Sequence, residues 1–245
     1  SKEELVDTVK KKLEEVLKKI DKLSRDVKEK LRRVIEELRK LSREVHETNR
    51  EVARRLREEA ALEEIVKLLE ESAKRATKLL RDVVRRIKEV AKEASELLEE
   101  LVREIARVLD EVVKLLAEAG VPEELVRDLE RLVREAVREL ERLVEEHKRL
   151  VEEAAKRLEK LVEEHKKISE DVARRLRELL EKISDEETVL RTLEKIIRDH
   201  NKAHKRVTDA VAKILEELIK LHDEVSRRLK DILRRLLELL DEVTR

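Results

Sequence analysis

The chain has 245 residues, with 61 Lys+Arg against 61 Asp+Glu; half its residues are charged, 40% are apolar, and Phe, Tyr, Trp, Met and Cys are absent. Without Cys there are no disulfides, thiolate nucleophiles or Cys-ligated zinc, and without aromatics there is no surface for base stacking or cation cages. One Gly and one Pro leave too few turn residues for a sheet protein, and zero net charge argues against nucleic acid as a partner.

The first predicted element runs from residue 2 to about 57. Leu13, Val16, Leu17, Ile20, Leu23, Val27, Leu31 and Val34 follow the i, i+3, i+4, i+7 stripe of an amphipathic helix. Ala, Leu, Glu, Lys and Arg, which dominate the chain, lead the helix propensities. The stripe returns in three further stretches, which predicts helices over about 62–118, 122–183 and 186–244.

The boundaries differ in kind. Near residues 57–62 there is no Gly, Pro or Ser, and the turn is inferred from phase. Continuing the face of Asn49, Val52 and Leu56 would put apolar residues at 63 and 67, where Glu63 and Lys67 stand, and the stripe restarts at Leu62, Ile65 and Val66. Basic Arg54, Arg55 and Arg57 followed by acidic Glu58, Glu59, Glu63 and Glu64 suit a helix end and a helix start. The alternative is one continuous helix through 1–118. At the second boundary, Gly120-Val121-Pro122 places Gly after one helix and Pro at the start of the next. At the third, Ser184-Asp185-Glu186-Glu187 reads as a capping box with Ser184 as N-cap and Glu187 reaching back.

Blocks of the chain repeat at an offset of 18 residues. Lys22-Leu23-Ser24-Arg25 returns as Lys40-Leu41-Ser42-Arg43, and Val162-Glu163-Glu164-His165 copies Val144-Glu145-Glu146-His147. Eighteen residues are five turns of 3.6, so each copy returns to the same helix face. As seven plus eleven, the period predicts little supercoil.

Polar residues inside the stripe predict the pairing. Ser42 with Thr77, and Ser24 with Ser95, give the same residue-number total; so do Thr77 with His165 and Ser95 with His147, and again His165 with His204 and His147 with His222. Constant totals are the arithmetic of antiparallel neighbours, and half of each total falls on the three predicted turns. The expected fold is therefore all-α: a single-chain, up-down-up-down four-helix bundle over 1–245, with helices long enough for a nearly untwisted rod of about 90 Å.

Two polar layers result. One groups Ser42, Thr77, His165, His204 and Thr208, extended by His46, Ser72, Ser169, His200 and Asn201, with Thr48 and Asn49 close by. The other groups Ser24, Ser95, His147, His222 and Ser226. A third equivalent level is apolar, at Val6, Val113, Leu129 and Leu240. A buried hydroxyl or imidazole without a partner costs about 1–3 kcal/mol, so residues at one height should bond one another and fix the register. A His pair alone does not complete a structural zinc site, which wants four ligands. No activated nucleophile in a cleft is evident, so neither metal, cofactor nor catalysis is expected. Protonation of buried imidazoles predicts some sensitivity to acid.

Serine, threonine, histidine and asparagine layers repeating among aliphatic ones, at His147, His165, His204 and His222 with Ser24, Ser42, Thr77 and Ser95, resemble those of de novo designed helical bundles with modular buried hydrogen-bond networks. The resemblance covers the whole chain and implies two hairpins, 1–119 and 122–245. These helices are longer than a minimal hairpin pair of that family needs. The resemblance implies a synthetic scaffold without natural activity, soluble and cytoplasmic on expression, or else a binding or switching module that exchanges helices, docks a partner helix or answers to pH. A monomer is expected, with self-assembly or a designed partner helix as the alternatives, and with no nucleic acid, membrane or small molecule as partner. A lipid-binding apolipoprotein-like chain would show shorter, Pro-punctuated helices and interfacial aromatics, and the N-terminal Ser1-Lys2-Glu3-Glu4 stretch has no apolar signal core.

Overall fold

The computed structural model describes residues 1–58, 61–182 and 185–244. They form four α-helices: α1 (Lys2–Arg57), α2 (Leu62–Glu118), α3 (Glu123–Lys182) and α4 (Glu186–Thr244). Each begins with two acidic residues in its first turn, Glu3 and Glu4, Glu63 and Glu64, Glu123 and Glu124, Glu186 and Glu187, where negative charge offsets the positive end of the helix dipole. The continuous-helix alternative is excluded, because α1 ends at Arg57 and Ala61 O accepts the first amides of α2, from Glu64 and Ile65. Glu59 and Ala60, where the turn was expected to centre, lie outside the described residues, as does Ser184.

Asp185 is the described residue that precedes α4. Its carbonyl accepts Val189 N at 3.0 Å and its carboxylate takes the Thr188 hydroxyl at 2.6 Å. That bond, with the backbone amides of Thr188 and Glu187, holds the Asp185 carboxyl below its ordinary range, the signature of an N-cap.

The α2 C-terminus is a Schellman turn. Val121 N bonds Leu116 O at 3.3 Å, Gly120 N bonds Ala117 O at 3.4 Å, and Gly120 sits at φ 83°. A Cβ added at Gly120 meets nothing within 4 Å. Gly120→Ala is therefore expected to cost about 1–2 kcal/mol, all of it backbone strain. Gly120→Asn should cost less, because Asn tolerates this conformation. Guanidinium midpoints of the two variants check the ranking, and equal midpoints would remove the strain argument.

The chain divides into two compact units: Ser1–Lys30, Val90–Glu153 and Leu218–Arg245 form one, and Leu31–Glu89 and Ala154–Glu217 the other. Each unit takes one segment from each helix. In the first, Lys12 reaches Glu111 and Lys19 reaches Glu104, so α1 rises as α2 falls; Lys230 of α4 bonds Asp21 of α1 at 2.7 Å. In the second, Arg157 pairs with Glu217 and Arg175 with Asp199, so α3 and α4 are antiparallel too. Such exposed pairs contribute little energy each, but they report the register. The fold is a four-helix bundle of antiparallel neighbours.

Burial follows the stripe. In the first unit Leu13, Ile20, Leu98, Ile105, Leu109 and Leu140 are sealed from solvent in one aliphatic cluster. That cluster contains Val6, Leu129 and Leu240 of the apolar level, with Val113 packed against it. In the second unit Val52, Ile65, Leu176, Leu193 and Ile196 form a cluster of the same kind. Among the described residues, no helix is long and apolar enough to cross a membrane.

Candidate functional site

The polar side chains buried among these aliphatic residues are the candidate site, and they lie in both units. In the second unit, Thr77 of α2 faces His165 of α3, with Oγ1 to Nδ1 at 2.8 Å. His165 Nε2 then meets His204 Nδ1 of α4 at 2.7 Å, and the two rings stand edge-on with centroids 5.0 Å apart. Three helices are thus joined at one height by a relay of two hydrogen bonds between residues whose spacing in the sequence predicts antiparallel contact. His165 is completely buried, and His204 and Thr77 nearly so.

One turn along α4, the buried His200 ring stacks on His204 at 6.1 Å, and its Nε2 has no partner. Asn201, beside it in sequence, accepts a hydrogen bond from Nδ2 of buried Asn49 on α1. Asn49 Oδ1 is left without a partner. Ser169 of α3 is buried as well.

The first unit carries a shorter version. Ser95 Oγ and His147 Nδ1 are 2.8 Å apart, and the His147 and His222 rings meet edge-on at 5.5 Å. The relay stops there: His222 Nδ1 and Nε2 and Ser226 Oγ are buried without hydrogen-bond partners.

Several expected members stand elsewhere. Ser24 is half-buried and donates to Asp223 Oδ1 at 3.1 Å, not to an imidazole; Lys28 completes the pair with Asp223 at 2.8 Å. A carboxylate is the stronger acceptor and draws the hydroxyl to the helix edge. His46 is exposed. Val45, Asn49 and Val52 hold the buried stripe of α1, so His46 lies about 100° round the helix from it. Ser42 is half-buried on the wall of a groove between α1 and α4. Thr208 turns its hydroxyl back onto its own helix, to the carbonyls of His204 and Lys205, both at 3.1 Å. Ser72 is half-buried in a cleft with Thr48, whose hydroxyl bonds Glu44 O at 3.0 Å. Sequence spacing places a hydroxyl at the right height but does not decide whether it prefers a cross-helix partner or the carbonyl four residues back.

Burial sets the electrostatics. It pushes the imidazoles of His147, His165 and His222 down from 6.5 to about 4, and that of His204 to about 3. Neighbouring imidazoles add to the depression: His222 acts on His147, His200 on His165, and both His165 and His200 on His204. Burial lowers His200 as well. The rings are neutral at pH 7 and serve as one donor and one acceptor each. Among the described residues, no group of three or more His, Asp or Glu side chains is placed to hold a metal ion. Comparison of the chain with family models, with curated proteins and with solved structures returns no match.

Proposed function

We propose that this chain is a structural scaffold, a designed helical bundle in which buried polar residues specify how its helices pair, with no catalytic role. The Thr77–His165–His204 relay carries this reading, because it ties α2, α3 and α4 together at one height. Sliding α3 by one turn against its neighbours strips the partners from His165 and His204, at about 1–3 kcal/mol for each orphaned group. A slide of α4 by a whole 18-residue block brings similar groups back together, and the Asn49–Asn201 bond between α1 and α4 opposes it: the positions one block away are Leu31 and Ile219.

The experiment replaces the relay and the amide pair together by aliphatic residues: Thr77→Val, His165→Leu, His204→Leu, Asn49→Leu and Asn201→Leu. Removing all these partners at once creates no new orphan, so thermal stability should hold or rise. Native mass spectrometry should then show a single species for the parent and a mixture of oligomers for the variant. A variant that stays one species of the parent's mass would end the specificity reading. A second reading, a bundle that loosens in acid, rests on the contiguous His165, His204 and His200 rings.

A further inference from the structure

The relay of the second unit and its shorter counterpart in the first are copies at the 18-residue offset. Ala73, Thr77, His165 and His204 correspond to Ala91, Ser95, His147 and His222, so at these four positions the copies differ by one methyl group, that of Thr77. Their hydrogen bonds differ by more. Thr77 Oγ1 lies 3.2 Å from Ala73 O, four residues back, as well as 2.8 Å from His165 Nδ1. Ser95 Oγ meets His147 Nδ1 at the same 2.8 Å, but among the described residues it makes no bond to a carbonyl. A β-branched threonine in a helix has few rotamers, and one of them sets Oγ1 against the carbonyl four residues back; serine turns more freely.

A hydroxyl has one hydrogen, and a carbonyl oxygen only accepts. Both Thr77 contacts are hydrogen bonds in one arrangement only: Thr77 donates to Ala73 O and accepts from His165 Nδ1–H. A neutral imidazole carries a single hydrogen, so His165 Nε2 is bare and accepts from His204 Nδ1–H, 2.7 Å away. His204 Nε2 then holds only a lone pair. The reverse order would break the bond between Thr77 and Ala73. It would also put a hydrogen on His204 Nε2, which is sealed and has no acceptor. In the first unit the Ser95 hydroxyl is free to donate or to accept, and His222, with both ring nitrogens unpartnered, does nothing to decide between the two.

We propose that Thr77 is a positioning residue that sets the tautomers of His165 and His204. By giving its one hydrogen to Ala73 O it obliges His165 to donate, and the relay runs one way, from α4 through α3 to α2. Each helix then has its own role: α4 donates, α3 accepts and donates, and α2 accepts. The contact in the second unit carries a direction as well as a height, and the one in the first unit carries a height alone. This inference deepens the scaffold reading and rests on the same relay.

Long-range proton–nitrogen spectra of the imidazole rings at neutral pH read the tautomers directly. In the parent, His165 and His204 should both be protonated on Nδ1, by a ratio on the order of tenfold, the equivalent of one hydrogen bond. His147 should carry a larger share of the Nε2–H form. Thr77→Val keeps the branched shape and removes the acceptor of His165 Nδ1–H, so both rings should pass to Nε2–H while His147 keeps its parent spectrum. Ser95→Thr should move His147 toward Nδ1–H. Should Thr77→Val fail to fold, the parent and Ser95→Thr spectra still decide. The readout is separate from pairing specificity: the fivefold aliphatic variant can stay one species, which ends the specificity reading, while the proton order stands. The proposal is overturned by a His165 or His204 protonated on Nε2 in the parent, by a His147 that matches His165 there, by an unchanged His165 in folded Thr77→Val, or by an unchanged His147 in Ser95→Thr.

Discussion

Acidification from about pH 7.5 to about pH 4.5 is expected to lower the guanidinium midpoint of the chain while leaving it folded without denaturant. His147, His165 and His222 titrate near 6.5 when unfolded and about 4 when folded, and His204 about 3 when folded. The sign follows from proton uptake. Between these values the unfolded chain binds more protons than the folded one, so falling pH favours unfolding. The stability of the neutral, buried rings is complete above about 6.5 and is lost progressively as pH falls toward 4. At pH 4.5 each ring would contribute a loss of about 2 kcal/mol if it acted alone. The rings of one layer are not independent, because each proton taken up makes the next harder to add.

The comparison that isolates the imidazoles is the double variant His165→Leu, His204→Leu. Glu51, Glu159 and Asp185 have carboxyls held below their ordinary range by bonds to Arg54, Lys88 and Thr188, and the unfolded chain begins to take up their protons at the acid end of this range. They are exposed and common to both proteins, so they cancel. Leucine at both positions removes two of the five lowered imidazoles and should shrink the pH difference by somewhat less than half, on the scale of about 2 kcal/mol per ring used above. His147, His222 and His200, which burial lowers too, supply the remainder. An unchanged pH dependence in the double variant would mean that His165 and His204 are not buried and neutral in solution.

The helices and their pairing were legible because they rest on periodicity. Stripe phase and the switch from basic to acidic residues mark the break after Arg57, and the constant totals of residue numbers place Thr77 against His165 and Ser95 against His147, as observed. What was not legible is decided by a few degrees of rotation or by a choice among acceptors. His46 and Asn49 are three residues apart on α1; Asn49 is buried and His46 is in solvent. Ser24 and Ser42 are copies of one another, yet Ser24 is drawn away by Asp223, whereas Ser42 lies on a groove wall. Thr208 and Ser226 are copies as well, but the Thr208 hydroxyl bonds back to its own helix and the Ser226 hydroxyl has no partner. The division into two compact units has no mark in composition, because each helix passes from one unit to the other without a Gly, Pro or change of stripe.

The largest single-residue effects should come from the aliphatic interior. Leu98 of α2 and Leu176 of α3 are sealed from solvent, one in each unit. Leu→Ala at such a position removes contacts and leaves a void that neighbouring helices close only in part, which costs about 3–5 kcal/mol. Leu125, 51% exposed, is the control: alanine there should change stability by no more than about 0.5 kcal/mol. The parent is expected to show no melting below about 90 °C, because propensity, stripe and burial agree along all four helices. In a chain of this size 1 kcal/mol moves the midpoint by about 2–4 °C, so Leu98→Ala and Leu176→Ala should melt roughly 10 °C lower and remain folded at ambient temperature. Guanidinium unfolding of the four proteins, followed by helix signal, reads the costs directly. A parent transition near about 55 °C, far short of the hyperstable range, would count against continuous aliphatic packing. So would a cost below about 1 kcal/mol at both buried leucines, since an interior that forgives a lost isobutyl group is not packed to native density.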